Sequence, residues 1–179
     1  EMDDHLRSLL AAIDSDTTVI IFSDHAQLNV HTVINPNHIL EKANFAKVLR
    51  DGSLEHYSCY FTLQDGSAFF YRNGCDDSAV DRVRDLTLTT EGVRRILTED
   101  EMKESGHTDA AFGVCAEVGF HFGTEANKRG SHGYPTDYPD YSTFCAISEP
   151  IQGVEIKKIT DITGIAARIL DLQMQGDSL

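Results

Sequence analysis

The stretch VIIFSDHAQLNV, residues 19–30, decides how this chain is read. Four apolar residues run straight into Ser23, Asp24 and His25, and a polar loop follows. With Thr17 and Thr18 in front, TTVIIF is a continuous β-branched run, the pattern of a strand covered on both faces. Upstream, MDDHLRSLLAAI (residues 2–13) sets Leu6, Leu9, Leu10 and Ile13 at helical spacing, with Asp3 and Asp4 suited to a first turn. A helix, a strand and then a polar loop at the strand's carboxyl end predict a layered α/β sheet. Ligand sites in such sheets favour that end. An acid and an imidazole leaving a strand either close an ordinary turn or offer a carboxylate oxygen and a ring nitrogen to a cation. On these residues alone the turn is the favoured reading.

A second stretch changes the balance. In RGSHGYPTDYPDYSTF, residues 129–144, Gly130 and Gly133 flank Ser131 and His132, and a run of Tyr, Pro and Asp leads into another strand. Glycines on both sides allow a tight backbone path and close approach of a ligand. Alone, GSHG is a Gly/Pro-rich turn that contains a histidine. His31 and His38 lie in or beside the loop after Asp24, and His5, His56, His107 and His121 have no partner spacing. Dinucleotide, P-loop and nucleophile-elbow motifs are absent.

The rest of the chain fits one globular α/β body. NPNHILEKANF (35–45) predicts a helix entered through Asn35 and Pro36. Residues 56–73 predict a hairpin turning at Asp65-Gly66. DSAVDRVRDLTLT (77–89) predicts a helix capped by Asp77 or Ser78, with Val80, Val83 and Leu86 or Thr87 on one face. Thr98 through Glu101 has capping-box spacing, with Gly106 as a stop. Residues 110–123 read as strand with Gly bends, 141–148 as a core strand, and 159–172 as an amphipathic helix.

At 179 residues the chain suits a single domain with a real core. A net charge of −14 disfavours nonspecific nucleic-acid binding, which needs clustered Lys and Arg. It leaves a phosphate-bearing substrate open, since bound cations reverse a local field. No apolar run approaches the roughly 20 residues of a membrane helix. Residues 1–13 are charged and amphipathic rather than a signal peptide. Cys59, Cys75, Cys115 and Cys145 lack metal-ribbon spacing. Cys59, Cys115 and Cys145 sit in strand-like context and read as buried free thiols of a reducing compartment, hence a cytoplasmic expectation.

Together, the two histidine stretches make the sequence resemble the carboxyl-terminal half of the alkaline phosphatase superfamily, in its type I phosphodiesterase/nucleotide pyrophosphatase branch. TTVIIFSDHAQ is similar to that family's strand ending in Ser-Asp-His-Gly. GSHGYPTDYPDYSTFCAISEPI is similar to its Gly-Thr/Ser-His-Gly-Tyr segment and the strand beyond it. Departures are Ala26 for the usual Gly, Ser148-Glu149-Pro150 for a Gly-Pro ending, and Thr163-Gly164 where Pro-Thr is common.

The resemblance implies a three-layer α/β/α sandwich, present as its carboxyl-terminal portion, with residues 1–179 as one domain and about 32–125 as a cap-like insertion. It implies two divalent metals, zinc by family expectation. Asp24 and His25 match ligands of the metal that activates the nucleophile, and His132 matches a ligand of the second. The family's nucleophile and its other three ligands match nothing here and are expected upstream. The expected function is therefore part of a two-metal phosphoryl-ester hydrolase acting on a phosphate ester or nucleotide, inactive as this chain alone. A non-catalytic interaction domain on the same scaffold is the alternative. Surface left by the absent half is a possible site for a second copy of the chain.

Overall fold

The computed structural model describes residues 1–151, 153 and 155–173. In chain order its elements are α1 (Met2–Ala12), β1 (Ile20–Phe22), β2 (Leu28–Ile34), α2 (Asn37–Lys42), β3 (Lys47–Val48), β4 (Leu54–Glu55), β5 (Cys59–Gln64), β6 (Ser67–Arg72), α3 (Asp77–Leu88), β7 (Val93–Ile96), α4 (Glu99–Glu104), β8 (Phe112–Ala116), β9 (Gly119–Phe122), β10 (Gly130–Ser131), β11 (Cys145–Ile147) and α5 (Asp161–Ile169). They fall into two compact units. One joins Glu1–Asp24 to the residues described from Thr143 onward, and the other is His25–Ser142. Residues 32–125 all fall within the second unit.

In the first unit, β1 pairs antiparallel with β11, Ile20 facing Ile147 and Phe22 facing Cys145. The expected fully covered strand at 17–22 is corrected to a three-residue strand that is only half-buried. The reason is its company: among the described residues β1 has β11 as its strand partner, and a two-stranded ribbon has too little apolar surface to cover both its faces. The core strand expected at 141–148 shrinks likewise to Cys145–Ile147, with Phe144 exposed and Cys145 half-buried. Helix α1 forms where its periodicity predicts, yet it buries no residue. Helix α5 ends at Ile169, short of 172, and Asp171 turns into the left-handed region at φ 53°.

The second unit holds the core. Strands β5, β6, β8 and β7 form an antiparallel sheet in that order. Its register puts Phe61 opposite Phe70 and Phe70 opposite Phe112, with ring centroids 5.1 Å and 4.9 Å apart. Cross-strand aromatic neighbours of this kind stabilise a sheet beyond the area they bury. Ser67, Ala68, Phe69 and Phe70 are all buried, so β6 is covered on both faces.

Helix α3 turns Ala79, Val80, Val83 and Thr87 inward. Thr87 is tolerated because its hydroxyl donates to the Val83 carbonyl at 2.7 Å. The cap is Asp76 rather than Asp77 or Ser78: its extended backbone lets Oδ1 accept from the Ala79 N–H at 2.9 Å, while the Ser78 hydroxyl donates to the same carboxylate. Helix α4 has the expected capping box between Thr98 and Glu101. Glu101 also receives two 2.7 Å bonds from the Arg95 guanidinium, which holds its carboxyl at about 2.

A smaller sheet, β10-β2-β9, combines an antiparallel edge with a parallel pair, β2 beside β9. His121 on β9 is only 2% exposed, and neither ring nitrogen has a hydrogen-bond partner of good geometry among the described residues. Burial first, then the Lys128 ammonium, push its pKa below the ordinary 6.5, outweighing the opposite pull of Asp65 and of the Glu125 and Thr32 backbone.

Two consequences are testable in urea denaturation of the full chain. Phe70→Ala removes the central rung of the aromatic ladder and is expected to cost about 3–5 kcal/mol; a loss below about 1 kcal/mol would show that the site collapses around the gap. For His121, the unfolded ring gains its proton near 6.5 while the folded ring resists it. Its contribution is therefore complete above that pH and declines as pH falls below it. Between about pH 8 and about pH 5.5, His121→Phe is expected to lose less stability than the wild type, and parallel losses would refute this assignment.

Candidate functional site

The site is assembled by one strand register. Strand β10 pairs antiparallel with the start of β2, Gly130 facing Asn29 and Ser131 facing Leu28. Continuing one residue along β10 and a few residues back from β2 brings the chain to His132 on one side and His25 on the other. Their rings stack with centroids 4.1 Å apart and planes inclined by 26°. The two histidine stretches that are far apart in sequence therefore meet within the second unit. Asp24 closes the amino-terminal segment of the first unit. There the Ser23 N–H donates to the Phe144 carbonyl at 3.1 Å, and the Phe144 N–H donates to the Ser23 hydroxyl at 3.2 Å.

His25 Nδ1 lies 2.9 Å from the Ala26 carbonyl. A carbonyl only accepts, so Nδ1 carries the proton in the neutral ring, and Nε2 is the nitrogen with the lone pair. His132 is half-exposed, and its Nε2 lies 3.2 Å from Asp65 Oδ2. The other oxygen, Oδ1, accepts from the Lys128 ammonium at 2.5 Å. Asp65 is the first residue of the β5–β6 turn and sits at φ 58°, a left-handed conformation that Asp tolerates better than most residues.

The loop carrying His132 is fastened to that turn. The Gly66 N–H donates to the His132 carbonyl at 2.7 Å, and the Ser67 hydroxyl donates to the Gly133 carbonyl at 2.7 Å. Gly133 is required twice over: its φ is +76°, and a Cβ there would lie 2.4 Å from the Gln64 carbonyl oxygen. Gly66 is required as well, since a Cβ would press into the Tyr134 ring at 2.5 Å.

The tyrosines of YPTDYPDY then pin the loop further along. The Tyr134 hydroxyl donates to the Phe120 carbonyl at 2.5 Å, Tyr138 donates to the Ala116 carbonyl, and Tyr141 accepts from the Gly133 N–H at 2.9 Å. Burial pushes the Tyr134 phenol up to about 12. The Arg94 guanidinium lies over the Tyr138 ring at 4.2 Å.

Other histidines have partners of their own. His31 meets the Thr32 hydroxyl at 2.8 Å, and His38 meets Glu41 at 3.3 Å. His107 stacks on Phe69 and bonds the Tyr71 hydroxyl at 2.6 Å. Among the described residues, no group of three or more His, Cys, Asp or Glu comes together as a metal site. Asp65 and Lys128 were not anticipated from the sequence. The Asp65-Gly66 pair signalled a turn, and nothing in its local pattern says what its carboxylate faces.

Comparison with curated proteins returns no match. Among solved structures, the chain is similar to human ectonucleotide pyrophosphatase/phosphodiesterase 5, with a TM-score of 0.61 and 16% identity, covering 98% of this chain and 46% of that one. The murine protein matches at the same score and identity, with 47% of its chain covered. Phosphonoacetate hydrolase from Sinorhizobium meliloti 1021 matches with a TM-score of 0.52 and 15% identity, over 86% of this chain and 40% of that one. The chain thus spans about half the length of these relatives or less. At such identities the likeness shows the fold, a mixed α/β arrangement of the alkaline phosphatase superfamily type. The sequence itself matches the type I phosphodiesterase/nucleotide pyrophosphatase family over residues 1–135, a span that holds Asp24, His25 and His132 alike. With both histidine motifs inside the matched span and the fold shared along almost its whole length, this chain belongs to the type I phosphodiesterase/nucleotide pyrophosphatase family.

Proposed function

We propose that this chain contributes Asp24, His25 and His132 to the two-metal centre of a phosphoryl-ester hydrolase, with zinc as the metal. The observation that carries the reading is the His25–His132 stack, which brings together the imidazoles of two family motifs. The donor set suits the ion: imidazole nitrogen and carboxylate oxygen are ordinary zinc ligands. Both rings reach the surface of the second unit, His132 at 45% exposure. When bound, such a metal pair stabilises the attacking and leaving oxygens of an in-line displacement at phosphorus.

The chain's own residues have narrower tasks. His25 holds its proton on Nδ1 against the Ala26 carbonyl and presents Nε2 as a donor. His132 is held on a loop locked by Gly133, Tyr134 and Tyr141. Asp24 supplies the carboxylate. Neither the nucleophile nor the remaining ligands of the family are matched in this chain, so the isolated chain is expected to bind zinc weakly and not to turn over. A stable zinc site usually takes at least three protein ligands. The proposed substrate is a nucleotide diester or pyrophosphate first and a phosphonate second, a reading supported by the names of the structural relatives, pyrophosphatase/phosphodiesterase and phosphonoacetate hydrolase.

A zinc titration against a chromogenic chelator tests the ligand assignment. His132→Ala and His25→Ala are each expected to weaken binding by tenfold or more, and binding unchanged in both variants would favour a non-catalytic interaction domain instead. A turnover assay with a chromogenic phosphodiester tests the second part. No activity is expected from the isolated chain, and hydrolysis abolished by Asp24→Ala would overturn the view that it is incomplete alone.

A further inference from the structure

All four cysteines are free thiols, and two of them lie at the end of the β5–β6 hairpin away from its turn. Cys59 opens β5, is fully buried, and faces Arg72 at the end of β6. The pairing runs one step past the strands, since the Asn73 N–H donates to the Ser58 carbonyl at 2.9 Å. Gly74 then takes φ +99°, and Cys75 follows directly before Asp76, the cap of α3. Residues two apart on a strand share a face, so Cys59 stands on the face of Phe61, Phe70 and Phe112. Helix α3 packs on that same face: Val80 and Val83 are buried in its core, and the Arg84 guanidinium lies 5.3 Å from the Phe112 ring centre. The chain leaving β6 therefore turns onto the side where Cys59 is. Cys75 packs there, half-buried, against the core cluster that contains Cys59. Burial first, and then the neighbouring Cys75 thiol, push the Cys59 thiol up to about 12. Cys115 is three positions from Phe112 on β8, an odd step that puts it on the opposite face, and Cys145 belongs to the first unit.

We propose that Cys59 and Cys75 are a peroxide-sensitive dithiol that closes to a disulfide between the start of β5 and the entrance of α3. The thiolate is the attacking form, and the reaction starts at Cys75, the more open of the two. Its sulfur attacks one peroxide oxygen and the O–O bond breaks. The sulfur is oxidised to a sulfenic acid, and the peroxide is reduced, its other oxygen leaving as water. The Cys59 sulfur then attacks the Cys75 sulfur. The S–S bond forms, the S–O bond breaks, and the hydroxide leaves with the Cys59 proton as a second water. Two thiols and one peroxide thus give one disulfide and two waters. Burial keeps Cys59 protonated, which makes it the resolving thiol. Gly74 supplies the play for the sulfurs to close: a Cβ there would meet nothing within 4 Å. The bond ties residues 59–75 into one ring and so restrains the unfolded chain at the hairpin whose turn fastens the His132 loop.

The full chain is treated with hydrogen peroxide, alkylated with N-ethylmaleimide in denaturant, and read by intact and peptide mass spectrometry. Trypsin cuts after Arg50, Arg72 and Arg82, which leaves Cys59 and Cys75 on separate peptides. The wild type is expected to lose two hydrogens and to keep two of its four thiols open to alkylation. The two peptides are expected to be joined, and dithiothreitol to restore all four thiols. Cys75→Ala is expected to leave Cys59 alkylatable after the same treatment. Cys59→Ala is expected to hold Cys75 as a sulfenic acid that dimedone traps.

Four thiols surviving in the wild type overturn the proposal, and so does oxygen added at Cys75 without the joined peptides. A bond between any other pair of cysteines, or between two copies of the chain, overturns it as well. The wild-type peptide map decides the matter even where Cys59→Ala, at a buried position, fails to fold.

Discussion

The tip of the β5–β6 hairpin is the point on which the candidate site hangs. Two bonds leave it for the neighbouring loop, Gly66 N–H to the His132 carbonyl and Ser67 Oγ–H to the Gly133 carbonyl. Both sit where side-chain bulk is forbidden, because a Cβ on Gly66 or Gly133 would overlap Tyr134 or the Gln64 carbonyl. The hairpin is in turn rigid because β6 is buried on both faces and carries the Phe61–Phe70–Phe112 ladder. Core packing therefore reaches His132 through one turn and one loop. Little of that path is solvent-exposed backbone free to drift.

The exposed His25–His132 pair stands on a buried support. Tyr134 and Tyr138 are each about 5% exposed or less, and their hydroxyls close carbonyls at the ends of β8 and β9. An unpaired carbonyl beneath a loop costs free energy, and a tyrosine supplies both the apolar body and the polar end needed there. The Pro/Asp-rich composition of residues 135–140 shapes the turns between these anchors. The tyrosines, rather than the prolines, decide where the loop lies.

How much of this was legible varies with the range of the interaction. Helix α3, the capping box of α4 and the Asp65-Gly66 turn depend on residues a few positions apart, and local spacing predicts them. The Asp76 cap was displaced by one or two positions because three consecutive candidates compete and only backbone geometry chooses. Strand β1 misled for a different reason. A β-branched run reports a preference for strand and for burial, but not how many neighbours cover it, and here it lies half-exposed beside β11. His25 and His132 were marked as related by motif. Their stacking depends on the β10–β2 register, which no local pattern specifies. The side-chain contacts of Asp65 were invisible because the groups its carboxylate meets lie 63 residues away or more.

The parallel pairing of β2 with β9 sets an order on folding. Val30 lies opposite Gly119, and everything from α2 to β8 intervenes in the chain. The β5–β6 hairpin closes over two residues and forms locally, whereas the β2–β9 pair has to recover the entropy of a very long loop before any bond repays it. β10 adds to β2 only once that chain segment has returned. The two histidines are consequently brought together at the high-contact-order end of folding, after the aromatic ladder has its strands. Lesions that slow the return of β9 would deplete the paired imidazoles first while leaving the hairpin sheet intact.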